Sequence, residues 1–198
     1  MSQQPVHIVG IGGTLKNPSN SLRALRFALD AATSYGATID LLDLRQLDLP
    51  MYDPDRELND YPPQVVRFVR ALHRADGLLI STAAYHGTLA GVTKNALDYL
   101  EFLSDHPRPY LLNKPVGLIA TAGGDLADVN SINALVHVVH SLRGLALPLS
   151  VPIHNASKAF DADGQIVNDK VRTRLSQLGK LVVETAEQMR PEPDNAEV

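Results

Sequence analysis

The sequence predicts a doubly wound α/β fold, with five parallel strands in the order 2-1-3-4-5 and helices on both faces. Three observations carry that prediction. Apolar runs at residues 6–11, 77–80 and 116–120 lack polar alternation, as expected of central strands covered on both sides. Stretches with helical spacing of apolar residues alternate with them. Each run also ends in a loop of small and turn-forming residues, the arrangement that places ligand loops at the carboxyl edge of a parallel sheet.

The first run leads into a helix marked by Leu22, Leu25, Leu29 and Ala32. Residues 38–42 alternate more strongly and suit an edge strand. Further helical stripes follow: Val65, Val69 and Leu72; Val92, Ala96, Leu100 and Leu103; Ile132, Leu135, Val136, Val139 and Leu142; Val171, Leu175, Leu178 and Val182. Five βα units result. Right-handed crossovers, with the reversal between the first and third strands, bring the first two loops to one crevice. Two connections are long. Residues 43–62 carry Pro50, Met51, Tyr52, Pro54 and Pro62, which predicts an ordered excursion that covers the site or joins a partner subunit. Residues 154–168 contain Asp161-Ala162-Asp163-Gly164, a calcium-loop fragment without the remaining acidic ligands, and are read as a turn. Residues 1–190 are expected to form a single domain, with 191–198 as a flexible C-terminal tail.

The first loop, Gly12-Gly13-Thr14-Leu15-Lys16-Asn17-Pro18-Ser19-Asn20-Ser21, reads as an anion site. Asn17 suits an N-cap and Pro18 the first helical position, so the N–H groups of Ser19, Asn20 and Ser21 are expected to point outward unsatisfied. The hydroxyls of Thr14, Ser19 and Ser21 and the Lys16 ammonium converge on the same helix end, a combination that suits a phosphate monoester. Two familiar phosphate fingerprints fail. Leu15 stands where the dinucleotide pattern needs its third glycine, and the Gly-Lys-Ser/Thr of a Walker loop is absent. The second loop holds Ala83, Ala84, Tyr85, His86, Gly87 and Thr88, small residues and an aromatic face that admit a flat ligand. Thr121, Ala122, Gly123 and Gly124 form the third.

These loops carry a family resemblance. Residues 13–21 are similar to the phosphate loop of the NAD(P)H-dependent FMN reductases of the flavodoxin-like superfamily. Residues 85–98, Tyr-His-Gly-Thr-Leu-Ala-Gly-Val-Thr-Lys-Asn-Ala-Leu-Asp, resemble the family's second flavin motif, and residues 121–124 its third. The resemblance covers roughly residues 5–185 and implies a flavodoxin-like fold with FMN as cofactor and NAD(P)H as hydride donor. It further implies Thr14, Lys16, Ser19, Asn20 and Ser21 around the phosphate, residues 83–88 beside ribityl and ring, and residues 121–124 at the pyrimidine edge, with no side chain assigned as catalyst. FMNH2 would serve a flavin-dependent monooxygenase or the reduction of quinone, azo or metal acceptors, and a homodimer or homotetramer is expected. Two departures stand out: Lys16 replaces the usual arginine, and Thr93 the usual apolar residue before Lys94. A non-enzymatic flavodoxin-type electron carrier is the alternative, set against the absence of tryptophan. A flavin-free phosphate-binding module is another.

Composition narrows the classes. A net charge of −4 without a Lys/Arg cluster argues against nucleic acid. The chain has no cysteine, which excludes disulfides, thiol nucleophiles and thiolate-held clusters. No apolar stretch is long enough for a membrane span and residues 1–5 do not open a leader, so a cytoplasmic protein is expected. No Gly-x-Ser-x-Gly elbow occurs, and His137 and His140, at i and i+3, lack the glutamate of a zinc-protease helix and are read as packing or surface residues.

Overall fold

The computed structural model describes residues 4–124 and 126–190, so the segment 191–198 lies outside the described residues. Along the chain run β1 (His7–Gly12), α1 (Asn20–Ser34), β2 (Thr38–Asp43), α2 (Leu44–Leu47), α3 (Pro63–Arg74), β3 (Gly77–Tyr85), β4 (Thr88–Leu89), α4 (Gly91–Asp98), β5 (Pro115–Thr121), α5 (Ala127–Ser141), β6 (Leu145–Ile153), α6 (Ala156–Ala159) and α7 (Asp169–Met189). Five strands pair in parallel in the order β2-β1-β3-β5-β6, and the two-residue β4 turns back antiparallel on β3. Apart from that short ribbon, this is the expected order.

Successive residues of a strand point to opposite faces, and here both faces are covered. Val9, Ile11, Leu78, Ile80, Val116 and Leu118 pack with Phe68 and Leu72 of α3, Leu97 of α4 and Leu135 of α5. Their neighbours Ile8, Leu79 and Ile119 pack instead with Leu25 and Leu29 of α1 and Leu175, Leu178 and Val182 of α7. Two-sided burial is why the central runs show no polar alternation. Behind the sheet, α1 and α7 cross closely at Gly179, where an added Cβ would lie 2.4 Å from the Ala28 carbonyl oxygen.

The fifth long strand, β6, has the weakest sequence signal because Pro148 and Pro152 interrupt it. Both are tolerated at a sheet edge, and the β5–β6 register slips between Val116 and Leu118, opposite Pro148.

The excursion between β2 and α3 is ordered. Asn95 of α4 donates Nδ2 to the Pro50 carbonyl (2.8 Å) and accepts from the Tyr52 N–H (2.8 Å), while the Tyr99 hydroxyl also donates to Pro50 (2.9 Å). Tyr52, Tyr61, Tyr99 and Phe102 stack edge to face around it, with centroids 5.2–5.8 Å apart. Tyr99 is fully buried there, and desolvation pushes its phenol up to about 12. Residues 161–164 form the expected turn, closed by the Gly164 N–H donating to the Asp161 carbonyl (3.1 Å).

At the amino ends of β3 and β5 two charged side chains are paired. Asp76, ahead of β3, accepts from the His7 N–H (2.8 Å) and from Arg190 (2.7 Å). Lys114, ahead of β5 and 2% exposed, donates to the carbonyls of Leu72 and His73 at the end of α3 (2.7 Å each). Burial pushes its ammonium down to about 8. No described helix is long and apolar enough to cross a membrane.

Candidate functional site

The carboxyl ends of β1, β3 and β5 open onto a cleft of about 200 Å³, lined by Thr14, Lys16, Pro18, Ser19, Asn20, Ser21, Ala83, Ala84, Tyr85, Thr121, Ala122, Gly123, Ala156 and Ser157. At its floor, α1 begins two residues later than expected. Its N-cap is Ser19, in extended conformation with Oγ accepting from the Leu22 N–H (3.2 Å), and Pro18 stands outside the helix behind a cis Asn17–Pro18 bond. The Ser19 carbonyl takes the Arg23 N–H (3.1 Å). The N–H groups of Asn20 and Ser21 remain as the open donors of the first turn. Ser19 Oγ and Ser21 Oγ lie 3.0 Å apart, and Ser81 of β3 donates to the Ser21 carbonyl (2.8 Å), fixing that turn on the sheet. Thr14 Oγ1 accepts from the Lys16 N–H (3.2 Å), and Lys16 lines the cleft beside Ser19, Asn20 and Ser21.

Residues 82–88 are not the open loop expected from the sequence. β3 continues to Tyr85, pairs Ala84 with Leu89 and Tyr85 with Thr88, and turns through His86 and Gly87 with φ of +52° and +85°. That is the two-residue hairpin turn with both central residues left-handed, which the His-Gly pair permits and most pairs resist. The hairpin base is held by Thr82: Oγ1 accepts from the Ala90 N–H (3.1 Å) and lies 3.0 Å from Thr93 Oγ1. Thr93, the departure from the family pattern, is thereby a buried hydroxyl with a partner. Tyr85 is 48% exposed at the cleft mouth.

The third loop is clamped by the segment after β6. The Ala122 N–H donates to the Ile153 carbonyl (3.0 Å), the Ala156 N–H to the Ala122 carbonyl (2.9 Å), and Asn20 Nδ2 to the Ala156 carbonyl (3.3 Å). A Cβ added at Gly123 or Gly124 would meet nothing within 4 Å, so both face open space. At the base of α5, Asp128 is fully buried with His154 Nδ1 2.7 Å from its Oδ2. Neither carboxylate oxygen has a well-aligned hydrogen bond, so distance and charge, rather than a directed bond, define that contact.

The structure thus brings Thr14, Lys16, Ser19, Asn20, Ser21, Ala83, Ala84, Tyr85, Thr121, Ala122 and Gly123 into one cleft, and leaves His86, Gly87, Thr88 and Gly124 out of its lining. Pro18, Ala156 and Ser157 join it without having been anticipated. Only their place after the last strand could have signalled the latter two, and the prolines of β6 obscure that strand. No residue of the excursion lines the cleft, and Phe102 and Tyr110 are partly buried against the core around Tyr99. His137 and His140 are exposed, and no group of three potential metal ligands occurs among the described residues. A larger cavity, about 490 Å³, lies on the far side of residues 154–159. The smaller cleft is the better candidate site, because the helix end, the hydroxyls and three βα loops meet there at the strand-order reversal.

A family model of NADPH-dependent FMN reductases matches residues 6–158. The chain belongs to this family. It is 32% identical over 176 residues to an NAD(P)H-dependent FMN reductase of Pseudomonas aeruginosa, covering 87% of this chain and 90% of that one. It is 26% identical to an FMN-dependent NADPH-azoreductase of Staphylococcus haemolyticus, covering 83% and 86%. Among solved structures, the NAD(P)H:(acceptor) oxidoreductase FerB of Paracoccus denitrificans superposes with a TM-score of 0.73 at 19% identity, covering 93% of this chain and 98% of that one. That likeness shows the flavodoxin-like fold. The protein is an oxidoreductase of the FMN reductase family, with FMN as cofactor and NAD(P)H as co-substrate.

Proposed function

We propose that the cleft holds FMN and that the enzyme carries hydride from NAD(P)H to it for onward reduction of a small acceptor. The observation that carries this reading is the open first turn of α1, with two N–H donors, the Ser19–Ser21 hydroxyl pair and Lys16 around one helix end. The donor set fits a phosphate monoester, and the backbone and small side chains of Ala83, Ala84, Thr121, Ala122 and Gly123 leave room for a flat ring system. Bound FMN supplies the hydride-accepting centre. Ser19, Ser21, Thr14, Lys16 and the Asn20 and Ser21 amides hold its phosphate. Tyr85 lends an aromatic wall, and the clamped third loop keeps the ring's polar edge in place. His86, Gly87, Thr88 and Gly124 act from the rim, by shaping the hairpin and the loop.

The onward acceptor is a quinone, an azo compound, a metal oxyanion or the flavin site of a monooxygenase. Residues 1–190 form the folding unit, and the working form is a homodimer or homotetramer, with Met51, 76% exposed on the excursion, available to a second copy. A cytoplasmic location, where NAD(P)H is supplied, goes with that reading. The deciding experiment is flavin fluorescence titration with FMN and riboflavin. Several charge-assisted hydrogen bonds, each worth roughly 1.5–3 kcal/mol, are closed to riboflavin. After discounting for solvent competition, a net difference of about 3 kcal/mol favours FMN by about a hundredfold. Equal affinities reject the cradle.

A further inference from the structure

The cavity beyond the cleft wall has a chemistry of its own. It is lined by Val151, Pro152, His154, Asn155, Lys158, Ala159, Asn168, Lys170, Val171 and Arg174, and its volume of about 490 Å³ falls in the range of small-molecule sites. Three of these residues are permanent or near-permanent cations, a fourth is a histidine, and none is a carboxylate. Neither Lys158, Lys170 nor Arg174 enters an ion pair among the described residues. Two of the polar groups are held in position by the fold. Arg174 is tied by an Nη2 donor to the Ser150 carbonyl (2.7 Å), which leaves its remaining guanidinium donors for a ligand. His154 is turned by the buried Asp128 at Nδ1, so Nε2 is the ring nitrogen that faces other partners. Pro152 and Val171, both partly exposed, add an apolar surface on which a heteroaromatic ring can lie.

Residues 154–159 separate this cavity from the cleft. Ala156 and Ser157 line the cleft, while His154, Asn155, Lys158 and Ala159 line the cavity. A ligand with one end over the cleft and an anionic, partly apolar other end therefore has its second half provided for across one short wall. We propose that this cavity binds the phosphorylated adenosine end of NADPH, with Lys158, Lys170 and Arg174 around the 2′-phosphate. Discrimination against NADH then arises here, because that cofactor carries a 2′-hydroxyl in place of the 2′-phosphate that would pair with the three cations. The inference rests on the reading of the cleft as the FMN site, but the cavity can be tested alone.

The test is calorimetric titration of the flavin-loaded protein with adenosine 2′,5′-bisphosphate, adenosine 5′-monophosphate and inorganic phosphate. The bisphosphate is expected to bind at least about tenfold more tightly than either of the others. Lys158→Glu and Lys170→Glu, both at exposed positions, are each expected to weaken it by about tenfold. FMN affinity should be unchanged in both variants, with KM for NADPH raised and KM for NADH not. Equal affinity for the two adenosine ligands overturns the proposal. So does inorganic phosphate matching the bisphosphate, or unchanged bisphosphate affinity in both charge reversals. A protein that prefers FMN over riboflavin yet ignores the bisphosphate loses the cavity alone. One that binds the bisphosphate without preferring FMN keeps the cavity and loses the phosphate cradle.

Discussion

At the amino ends of β3 and β5 the charged groups Asp76 and Lys114 have protein partners, whereas at the carboxyl ends of β1, β3 and β5 several donors are left open. On the first side, Asp76 takes the His7 N–H and Arg190, and Lys114 caps two carbonyls of α3. On the other, the first two N–H groups of α1, Lys16 and Gly123 of the third loop line a cleft. Both edges are built from the same strands, so the difference lies in what the loops do. Satisfied polar groups stabilise the fold but offer a ligand nothing, and unsatisfied ones exposed to water cost little and can be re-paired by a ligand.

If that division holds, changes on the carboxyl edge should move binding and changes on the amino edge should move stability. Ser19→Asp gives the largest separation. Aspartate is as good an N-cap as serine, so the unfolding midpoint should hold, while a carboxylate in the phosphate's place should weaken FMN by about a hundredfold or more, roughly 3 kcal/mol, and spare riboflavin. Fluorescence titration beside urea unfolding reads both, and a variant that binds FMN normally breaks the comparison on that side.

Lys114→Ala should do the reverse, lowering stability by about 2 kcal/mol as two helix-end carbonyls lose their buried donor, with FMN affinity unchanged. The parent protein carries a matching pH signature. With the folded-state value near 8 and the unfolded one at 10.5, the unfolded chain binds more protons between those limits. Stability should therefore rise with pH in that window, by about 2 kcal/mol from about pH 7.5 to 9.5. Above pH 10 the raised Tyr99 phenol works in the opposite sense, since the folded state then holds the extra proton up to about 12. Urea melts at several pH values check this, and the rise below pH 10 should vanish in Lys114→Met.

Gly87→Ala sharpens the contrast within the carboxyl edge. Nothing stands within 4 Å of an added Cβ, so its cost of about 1 kcal/mol comes from the positive φ alone. Thermal unfolding should show that loss, and FMN affinity should fall only as far as Tyr85 is displaced. Arg190→Ala is the smallest expected change, about 0.5 kcal/mol, because its ion pair with Asp76 is partly solvated. A loss of several kcal/mol would mean that the amino edge is one coupled network.

The central strands and the helical stripes follow from periodicity, because burial of one or both faces leaves its period in any stretch long enough to show it, and the strand order follows from the crossover rule applied to those units. The phosphate loop was legible for a related reason: its donors lie within a few residues of one another, and a helix start is a local event. Even there the sequence placed the cap at Asn17, since Asn-Pro is a good start on propensity alone. The sheet decided for Ser19, whose neighbour Ser21 is held by Ser81 across 60 positions of chain. Residues 82–88 looked like a loop because small residues and glycine do not reveal pairing partners, and only the return of Thr88 and Leu89 onto β3 made them a hairpin. The clamp from Ala156 to Ala122 and Asn20, the Asp128–His154 contact and the wall between cleft and cavity join residues far apart in sequence. No local pattern encodes such contacts, which exist only once α1, α5 and β6 have packed at the same end of the sheet.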